Sequence, residues 1–151
     1  MKSLVVFYSR TNITKKLAER IASETNADIE EIKPVRDYDG KLGYARGGKD
    51  AISGKAVDLE ALSYDPQDYD VVYLGTPVWA SRMSSPLLSY IKQNDGKFKS
   101  VKFFVTAGGT GFDSTLKQLK EATTEPVSTL ALTTKEVKKD EFEDRLAEFI
   151  K

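Results

Sequence analysis

Short apolar runs of strand length alternate with segments of helical periodicity along the whole sequence, and this order constrains the fold more than any other feature. At the start, Leu4–Tyr8 is a continuous apolar run, and Asn12–Thr25 then places apolar residues at helical spacing. Further strands are predicted at Asp28–Ile32, Tyr69–Gly75, Val101–Thr106 and Val127–Leu132. Further helices are predicted at Ser85–Gln93, Phe112–Thr123 and Glu136–Lys151. Strands that alternate with helices in this way predict a three-layer α/β fold, in which helices cover both faces of a parallel sheet.

Length and composition restrict the function as well as the fold. At 151 residues the chain has the size of one ordinary domain, and no linker interrupts it, so we expect a single domain over residues 1–151. Cysteine and histidine are both absent, which excludes thiol chemistry and a Ser-His-Asp triad and leaves no expectation of a metal site. Redox or group-transfer chemistry is therefore expected to come from a bound cofactor.

Charge and hydropathy narrow the range of partners. Lys plus Arg and Asp plus Glu both number 23, so the net charge is zero and no broad attraction to nucleic acid is expected. No apolar run approaches the roughly 20 residues of a membrane span, and the N-terminal residues lack the pattern of a secretory signal. We expect a soluble, cytoplasmic protein.

Three loops are expected to carry the function, because ligands in such folds bind beyond the carboxyl ends of the strands. They follow the first, third and fourth predicted strands and cover Ser9–Thr14 (SRTNIT), Thr76–Ser85 (TPVWASRMSS) and Thr106–Gly111 (TAGGTG).

The first loop combines hydroxyl groups with the Asn12 amide and with the unpaired backbone N–H groups of a helix start. Such a set of donors suits a phosphate dianion. The alternative is that Thr11 or Asn12 simply caps the helix. Because neither G-x-G-x-x-G nor G-x-x-x-x-G-K-[ST] occurs in the chain, a phosphate here is expected to belong to neither a dinucleotide nor a nucleoside triphosphate.

The second and third loops offer an aromatic ring and a backbone edge. Trp79, the only tryptophan, is predicted to lie in a loop, where it can stack on a flat ring, although a lone tryptophan also commonly belongs to the core. In the third loop, Gly108, Gly109 and Gly111 let the backbone approach a ligand and hydrogen-bond its edge. The alternative for this third loop is an ordinary turn.

One segment departs from the regular alternation. Asp37–Gly54 contains five glycines and is too long for a plain connection, so it is predicted to be a functional excursion or a mobile loop that holds a short helix. Arg46 and Lys49 within this segment could hold a substrate phosphate, and the alternative is a solvated basic surface.

Considered together, the three loops resemble the FMN site of the flavodoxin family, and the resemblance covers essentially the whole chain. Members of the family bind the FMN phosphate with a loop of the form [ST]-x-T-G-x-T after the first strand. Ser9–Thr14 matches this form at every position except Asn12, which replaces glycine, and asparagine tolerates a positive φ better than other non-glycine residues. The resemblance implies a doubly wound five-stranded sheet with the strand order 2-1-3-4-5.

The same resemblance implies a role for each loop. Trp79 is the candidate to stack on the isoalloxazine, with its neighbours in the TPVWA segment along the ring, and the third loop is the candidate to hydrogen-bond the pyrimidine edge. The residues implied in FMN binding are Ser9, Arg10, Thr11, Asn12, Ile13, Thr14, Thr76, Pro77, Val78, Trp79, Ala80, Thr106, Ala107, Gly108, Gly109 and Gly111.

Two departures from the family affect the predicted function. The third loop offers only Phe112 where many flavodoxins have a tyrosine, so one flavin face is expected to be open, or covered by Tyr44 or Tyr38. The chain is also neutral, whereas electron-carrier flavodoxins tend to be acidic. The resemblance implies an electron carrier between redox partner proteins. The alternatives are an NAD(P)H-dependent flavin or quinone reductase, and a relative without FMN that acts as a binding module.

Overall fold

A computed structural model describes all residues, Met1–Lys151, and has a parallel sheet at its centre. The parallel strands are β1 (Ser3–Phe7), β2 (Asp28–Glu31), β3 (Val71–Trp79), β5 (Val101–Ala107) and β6 (Thr129–Thr133), and they lie in the order β2-β1-β3-β5-β6. The short β4 (Arg82–Met83) pairs with β3 in antiparallel orientation. β4 pairs only with β3, so it does not alter the order of the five parallel strands, which is the predicted one. The predicted fold class is confirmed.

Helices cover both faces of the sheet. One face carries α1 (Ile13–Thr25), α5 (Thr134–Lys138) and α6 (Glu143–Ile150), whereas α2 (Gly40–Ser53), α3 (Ser85–Gln93) and α4 (Phe112–Ala122) lie on the other. Side chains alternate along β1, so that Val5 and Phe7 pack under α1 while Leu4 and Val6 face the opposite layer. None of the helices is both long enough and apolar enough to pass through a membrane.

The end of the chain differs from the prediction of one helix over Glu136–Lys151. Thr133 and Glu136 form a capping box that starts α5, in which the Thr133 hydroxyl accepts from the Glu136 N–H and the Glu136 carboxylate accepts from the Thr133 N–H. The helix ends at Lys138, and Asp140 has a φ of 56°. Because an α-helix does not continue through a residue in the left-handed conformation, Asp140 separates α5 from a second helix, α6, which begins at Glu143.

Most of the glycine-rich segment Asp37–Gly54 is a regular helix, rather than a mobile loop that holds a short helix. α2 runs for 14 residues, and two of its glycines allow it to pack closely. A Cβ at Gly43 would lie 2.2 Å from the Tyr38 carbonyl carbon, and one at Gly47 would lie 3.1 Å from the Trp79 ring. Close packing explains why glycines occur at these two positions despite their low helix propensity.

The predicted second loop is also more regular than expected. β3 continues through Trp79, and a two-residue turn at Ala80 and Ser81 leads into β4. These turn residues have φ values of 50° and 63°, which is the geometry of a type I′ hairpin turn. Such turns normally contain Asn and Gly, so the turn is held in this conformation by its surroundings.

Candidate functional site

The structure brings the three predicted loops together at the carboxyl edge of the sheet. The Thr14 and Thr106 hydroxyls are buried and lie 2.9 Å apart, which joins the start of α1 to the end of β5. The Ser114 hydroxyl donates to the Ser81 carbonyl at 2.7 Å and ties the hairpin to α4. A Cβ at Gly111 would lie 2.8 Å from Val78, so the third loop directly contacts the hairpin.

The first loop presents a row of unpaired backbone donors. None of the N–H groups from Ser9 to Thr14 donates a hydrogen bond within the protein. Asn12 precedes α1 with a φ of 68°, and its side chain makes no capping hydrogen bond. The capping alternative therefore does not account for Asn12, whose left-handed backbone is a conformation that glycine adopts without strain.

The hydroxyl groups of this loop differ in their surroundings. Thr11 is exposed, whereas Thr14 is buried and bonded to Thr106. The Ser9 hydroxyl accepts from the Lys15 N–H at 3.1 Å and so stabilises the first turn of α1. Ile13 is half-buried against the core under α1. The loop combines free N–H groups, one exposed hydroxyl and the positive end of the α1 dipole, and this combination suits a phosphate dianion.

The TPVWA segment is divided between the core and the site. Thr76 is buried, and its hydroxyl accepts from the Ser84 N–H at 3.0 Å, so it joins β3 to the start of α3. Pro77 and Val78 are half-buried, and Ala80 is exposed at the tip of the hairpin. Thr76 therefore belongs to the core and holds the segment in place, whereas Pro77, Val78 and Ala80 remain at least partly accessible at the carboxyl edge of the sheet.

Trp79 lies at the end of β3 rather than in a loop. Only 7% of its surface is exposed. Its ring packs edge-to-face against Tyr8, with ring centroids 5.3 Å apart, and against Tyr38, with centroids 4.8 Å apart. Trp79 thus fits the interpretation as a core residue, because its ring belongs to an aromatic cluster. The ring also lines a cavity at the carboxyl edge of the sheet, where a ligand could contact it.

The third loop leaves its backbone available. Ala107 ends β5, and Gly108 and Gly109 are exposed, with open space where a Cβ would stand. No N–H group from Gly108 to Ser114 donates a hydrogen bond within the protein. The backbone of this loop can therefore donate to the edge of a ligand.

The cavity beside the hairpin was not predicted from the sequence. It has a volume of about 620 Å³, and Val78–Ala80 form one side of it. The other side is α2, which contributes Tyr44, Ala45, Gly48, Lys49, Ile52 and Ser53. The spacing of three, four and seven residues among positions 45, 48, 49 and 52 is the signal of a single helix face, and it becomes informative once α2 is assigned as a helix.

The two tyrosines of the α2 region, Tyr38 and Tyr44, differ in how exposed they are. Tyr44 is 67% exposed, and its ring lies 5.2 Å from the Arg10 guanidinium. Tyr38 is buried and donates to Asp50 at 2.8 Å. Burial, together with this hydrogen bond, raises the pKa of Tyr38 to about 12. Of the two tyrosines considered for an open flavin face, only Tyr44 is accessible.

Arg46 and Lys49 also differ in whether they are accessible to a ligand. Arg46 packs over the Tyr38 ring at 4.7 Å and donates to the Asp37 carbonyl. Lys49 is exposed, lines the cavity and forms no salt bridge. Lys49 is therefore the cation of the pair that is free to meet a ligand.

Comparisons with known proteins identify the family. The chain belongs to the flavodoxin family, whose model, described as Flavodoxin, matches residues 2–150. A flavoprotein from Lactobacillus acidophilus, solved in complex with FMN, is 26% identical, with 91% of this chain and 97% of that chain covered and a TM-score of 0.73. No curated protein sequence matches the chain.

Two more distant structures share the fold. A protein from Bacteroides uniformis is 22% identical, with 91% of this chain and 96% of that chain covered and a TM-score of 0.75. An azoreductase from Bacillus anthracis is 15% identical, with 99% and 93% covered and a TM-score of 0.54. At these identities the likeness shows the flavodoxin-like fold alone, which carriers and reductases have in common.

Proposed function

We propose that this protein binds FMN noncovalently and transfers electrons between redox partners. The observation that carries the proposal is the row of unpaired N–H groups from Ser9 to Thr14, at the positive end of α1 and beside the other two loops. The FMN complex of the relative from Lactobacillus acidophilus supports the choice of cofactor.

Each part of the site has its own task in this proposal. The N–H groups of the first loop and the Thr11 hydroxyl hold the phosphate. The hairpin residues Val78–Ala80 lie along the ring, and the N–H groups of Gly108 and Gly109 meet its pyrimidine edge. When bound, FMN supplies the redox chemistry.

The experiment compares FMN with riboflavin, which has the same ring and no phosphate. Titration of the apoprotein, followed by quenching of flavin fluorescence, should give one FMN per chain and binding of riboflavin at least about 100-fold weaker, since several charge-assisted hydrogen bonds are lost. Equal binding of the two flavins would remove the phosphate role from the first loop. No flavin binding at all would overturn the proposal and favour a binding module without FMN.

A variant pair locates the phosphate. Thr11→Val removes the exposed hydroxyl of the first loop and should weaken FMN by about tenfold without changing riboflavin binding. Thr124→Val is the matched control, because Thr124 is exposed in the connection between α4 and β6. A Thr11→Val variant that binds FMN as tightly as the control would exclude this hydroxyl from the site.

The cavity beside the hairpin favours a second candidate function, that of an NAD(P)H-dependent flavin or quinone reductase. A carrier needs an accessible flavin edge, whereas a reductase also needs space for a small substrate. Steady-state oxidation of NADPH by the FMN-loaded protein, with a quinone as acceptor, separates the two functions. Turnover supports the reductase, and its absence leaves the carrier.

A further inference from the structure

A second, smaller cavity borders α2 and has no part in the site at the carboxyl edge of the sheet. Its volume is about 220 Å³, and it shares no lining residue with the three loops or with the cavity beside the hairpin. α2 contributes Arg46 and Asp50 to its wall, and the connections before and after the helix contribute Arg36, Lys55 and Asp58. Because drug-sized ligands occupy about 300–1,000 Å³, this polar cavity suits a smaller ligand.

Three cations line this cavity, and none of them is paired with a carboxylate. Arg36, Arg46 and Lys55 take part in none of the salt bridges of the protein. Arg46 is half-buried and fixed in place, because its guanidinium packs over the Tyr38 ring at 4.7 Å and donates to the Asp37 carbonyl. Arg36 and Lys55 are exposed, so their N–H groups can turn towards a ligand. One fixed positive charge and two adaptable cationic donors favour an anion with two charges.

The two carboxylates of the cavity differ in their surroundings. Asp50 is buried and accepts a hydrogen bond from the Tyr38 hydroxyl at 2.8 Å. Asp58 is exposed and forms no salt bridge, although it lines the same cavity as the three cations. An ionised carboxylate only accepts hydrogen bonds. An anion beside Asp58 is therefore favoured if it carries a proton that it can donate.

We propose that this cavity binds inorganic phosphate as the hydrogen phosphate dianion. Arg36 and Lys55 donate to its oxygens, Arg46 adds its charge from the wall, and the one O–H group of the anion donates to Asp58. Binding of phosphate here goes beyond the proposed function and does not depend on FMN, since the two sites have no residue in common.

The carboxylate also determines which anions the cavity rejects. Sulfate has the shape and charge of hydrogen phosphate but carries no proton, so its oxygens meet Asp58 without a hydrogen bond. A phosphate monoester loses its last proton at a pH of about 6, so at mildly alkaline pH it meets the same repulsion. The mixed charge of the lining thus favours inorganic phosphate over both of these anions.

The test is calorimetry on the FMN-loaded protein, in which the first loop is already occupied, at low salt and mildly alkaline pH. Titration with inorganic phosphate should give one anion per chain, and sulfate and glycerol 3-phosphate should each bind at least about tenfold more weakly. Equal binding of phosphate and sulfate would overturn the proposal. If the protein takes up no FMN, the proposed function fails alone, and the variants below decide the phosphate site in the apoprotein.

Asp58→Asn tests the selectivity. An amide donates as well as accepts hydrogen bonds, so this variant should bind sulfate at least about tenfold more tightly than the parent protein and lose the preference for phosphate. Asp58 is exposed, so its replacement leaves the core intact. A variant that keeps the preference of the parent would show that Asp58 does not accept the phosphate proton, and the proposal would be wrong.

The cations locate the anion. Arg36→Gln and Lys55→Gln should each weaken phosphate binding about fivefold. Lys41→Gln is the matched control, since Lys41 is an exposed cation of α2 outside the cavity, and it should leave phosphate binding unchanged. An equal loss in the control would mean that general surface charge attracts the anion. Unchanged binding in both Arg36→Gln and Lys55→Gln would place the anion elsewhere, and either result would overturn the proposal.

Discussion

At the scale of single residues, Asn12 connects the sequence motif to the backbone geometry of the first loop. Its φ of 68° is in the left-handed region, and its side chain makes no capping hydrogen bond. Glycine adopts this conformation without strain, whereas a residue such as alanine costs about 1–2 kcal/mol there. We therefore expect the backbone conformation, rather than the amide group, to be the property that matters for FMN binding at this position.

Asn12→Gly should therefore keep FMN affinity within about twofold of the parent and change the free energy of unfolding by less than about 0.5 kcal/mol. Asn12→Ala should lower the free energy of unfolding by about 1 kcal/mol. Fluorescence titration with FMN and urea unfolding measure the two quantities. A large loss of FMN affinity in Asn12→Gly would mean that the Asn12 amide itself contacts the phosphate.

At the scale of elements, α2 shows where local propensity misleads. The five glycines within Asp37–Gly54 favoured a functional excursion or a mobile loop that holds a short helix. Most of this segment is instead a regular helix, because Gly43 and Gly47 let it pack closely against Tyr38 and Trp79. A helix in a protein is stabilised more by the surface against which it packs than by its propensity, and the sequence alone does not show that surface. The cavity was missed for the same reason.

The glycines of α2 should respond to substitution in opposite directions. Gly43→Ala introduces a Cβ that would lie 2.2 Å from the Tyr38 backbone, so it should lower the free energy of unfolding by about 1–3 kcal/mol. Gly48→Ala meets no neighbour and should raise it by about 0.5–1 kcal/mol through helix propensity. Urea unfolding followed by circular dichroism measures both. Equal effects of the two substitutions would contradict the packing described for α2.

At the scale of the whole molecule, the residue pattern predicted the parallel α/β architecture, and the resemblance to the family supplied the strand order. Neither showed which residues of the three loops belong to the core and which remain available to a ligand. Apolar runs that alternate with helical patterns, together with right-handed crossovers, restrict the topology to few choices. The sequence also located the three loops. It could not show that Thr14 and Thr106 bond to each other rather than to a ligand, because that contact joins residues 92 positions apart. Nor could it place Trp79 in an aromatic cluster, since this depends on how α2 packs.

The burial of several tyrosines makes the stability of the folded protein depend on pH. Burial is the main cause that raises the pKa values of Tyr8, Tyr38, Tyr69, Tyr73 and Tyr90 above the ordinary value of 10.0. The unfolded chain therefore releases these protons at lower pH than the folded protein does. The stability that this difference contributes is fully present below pH 10 and is lost as the pH rises above it. Absorbance at 295 nm should show the buried tyrosines ionising together with unfolding.

Tyr90→Phe tests this link at one site. The Tyr90 hydroxyl is buried and has no hydrogen-bond partner, so removing it should raise the free energy of unfolding at pH 7 by about 1 kcal/mol or more. Above pH 10 the variant should also lose stability less steeply, by up to about 1.4 kcal/mol per pH unit, because the unfolded chain has one fewer proton to release. Urea unfolding at a series of pH values between 7 and 11 measures both effects.

Tyr69→Phe is the matched control, since the Tyr69 hydroxyl donates to Asp28 at 2.6 Å and its loss should destabilise the protein at pH 7. A Tyr90→Phe variant that is destabilised to the same extent would show that the Tyr90 hydroxyl is hydrogen-bonded in solution.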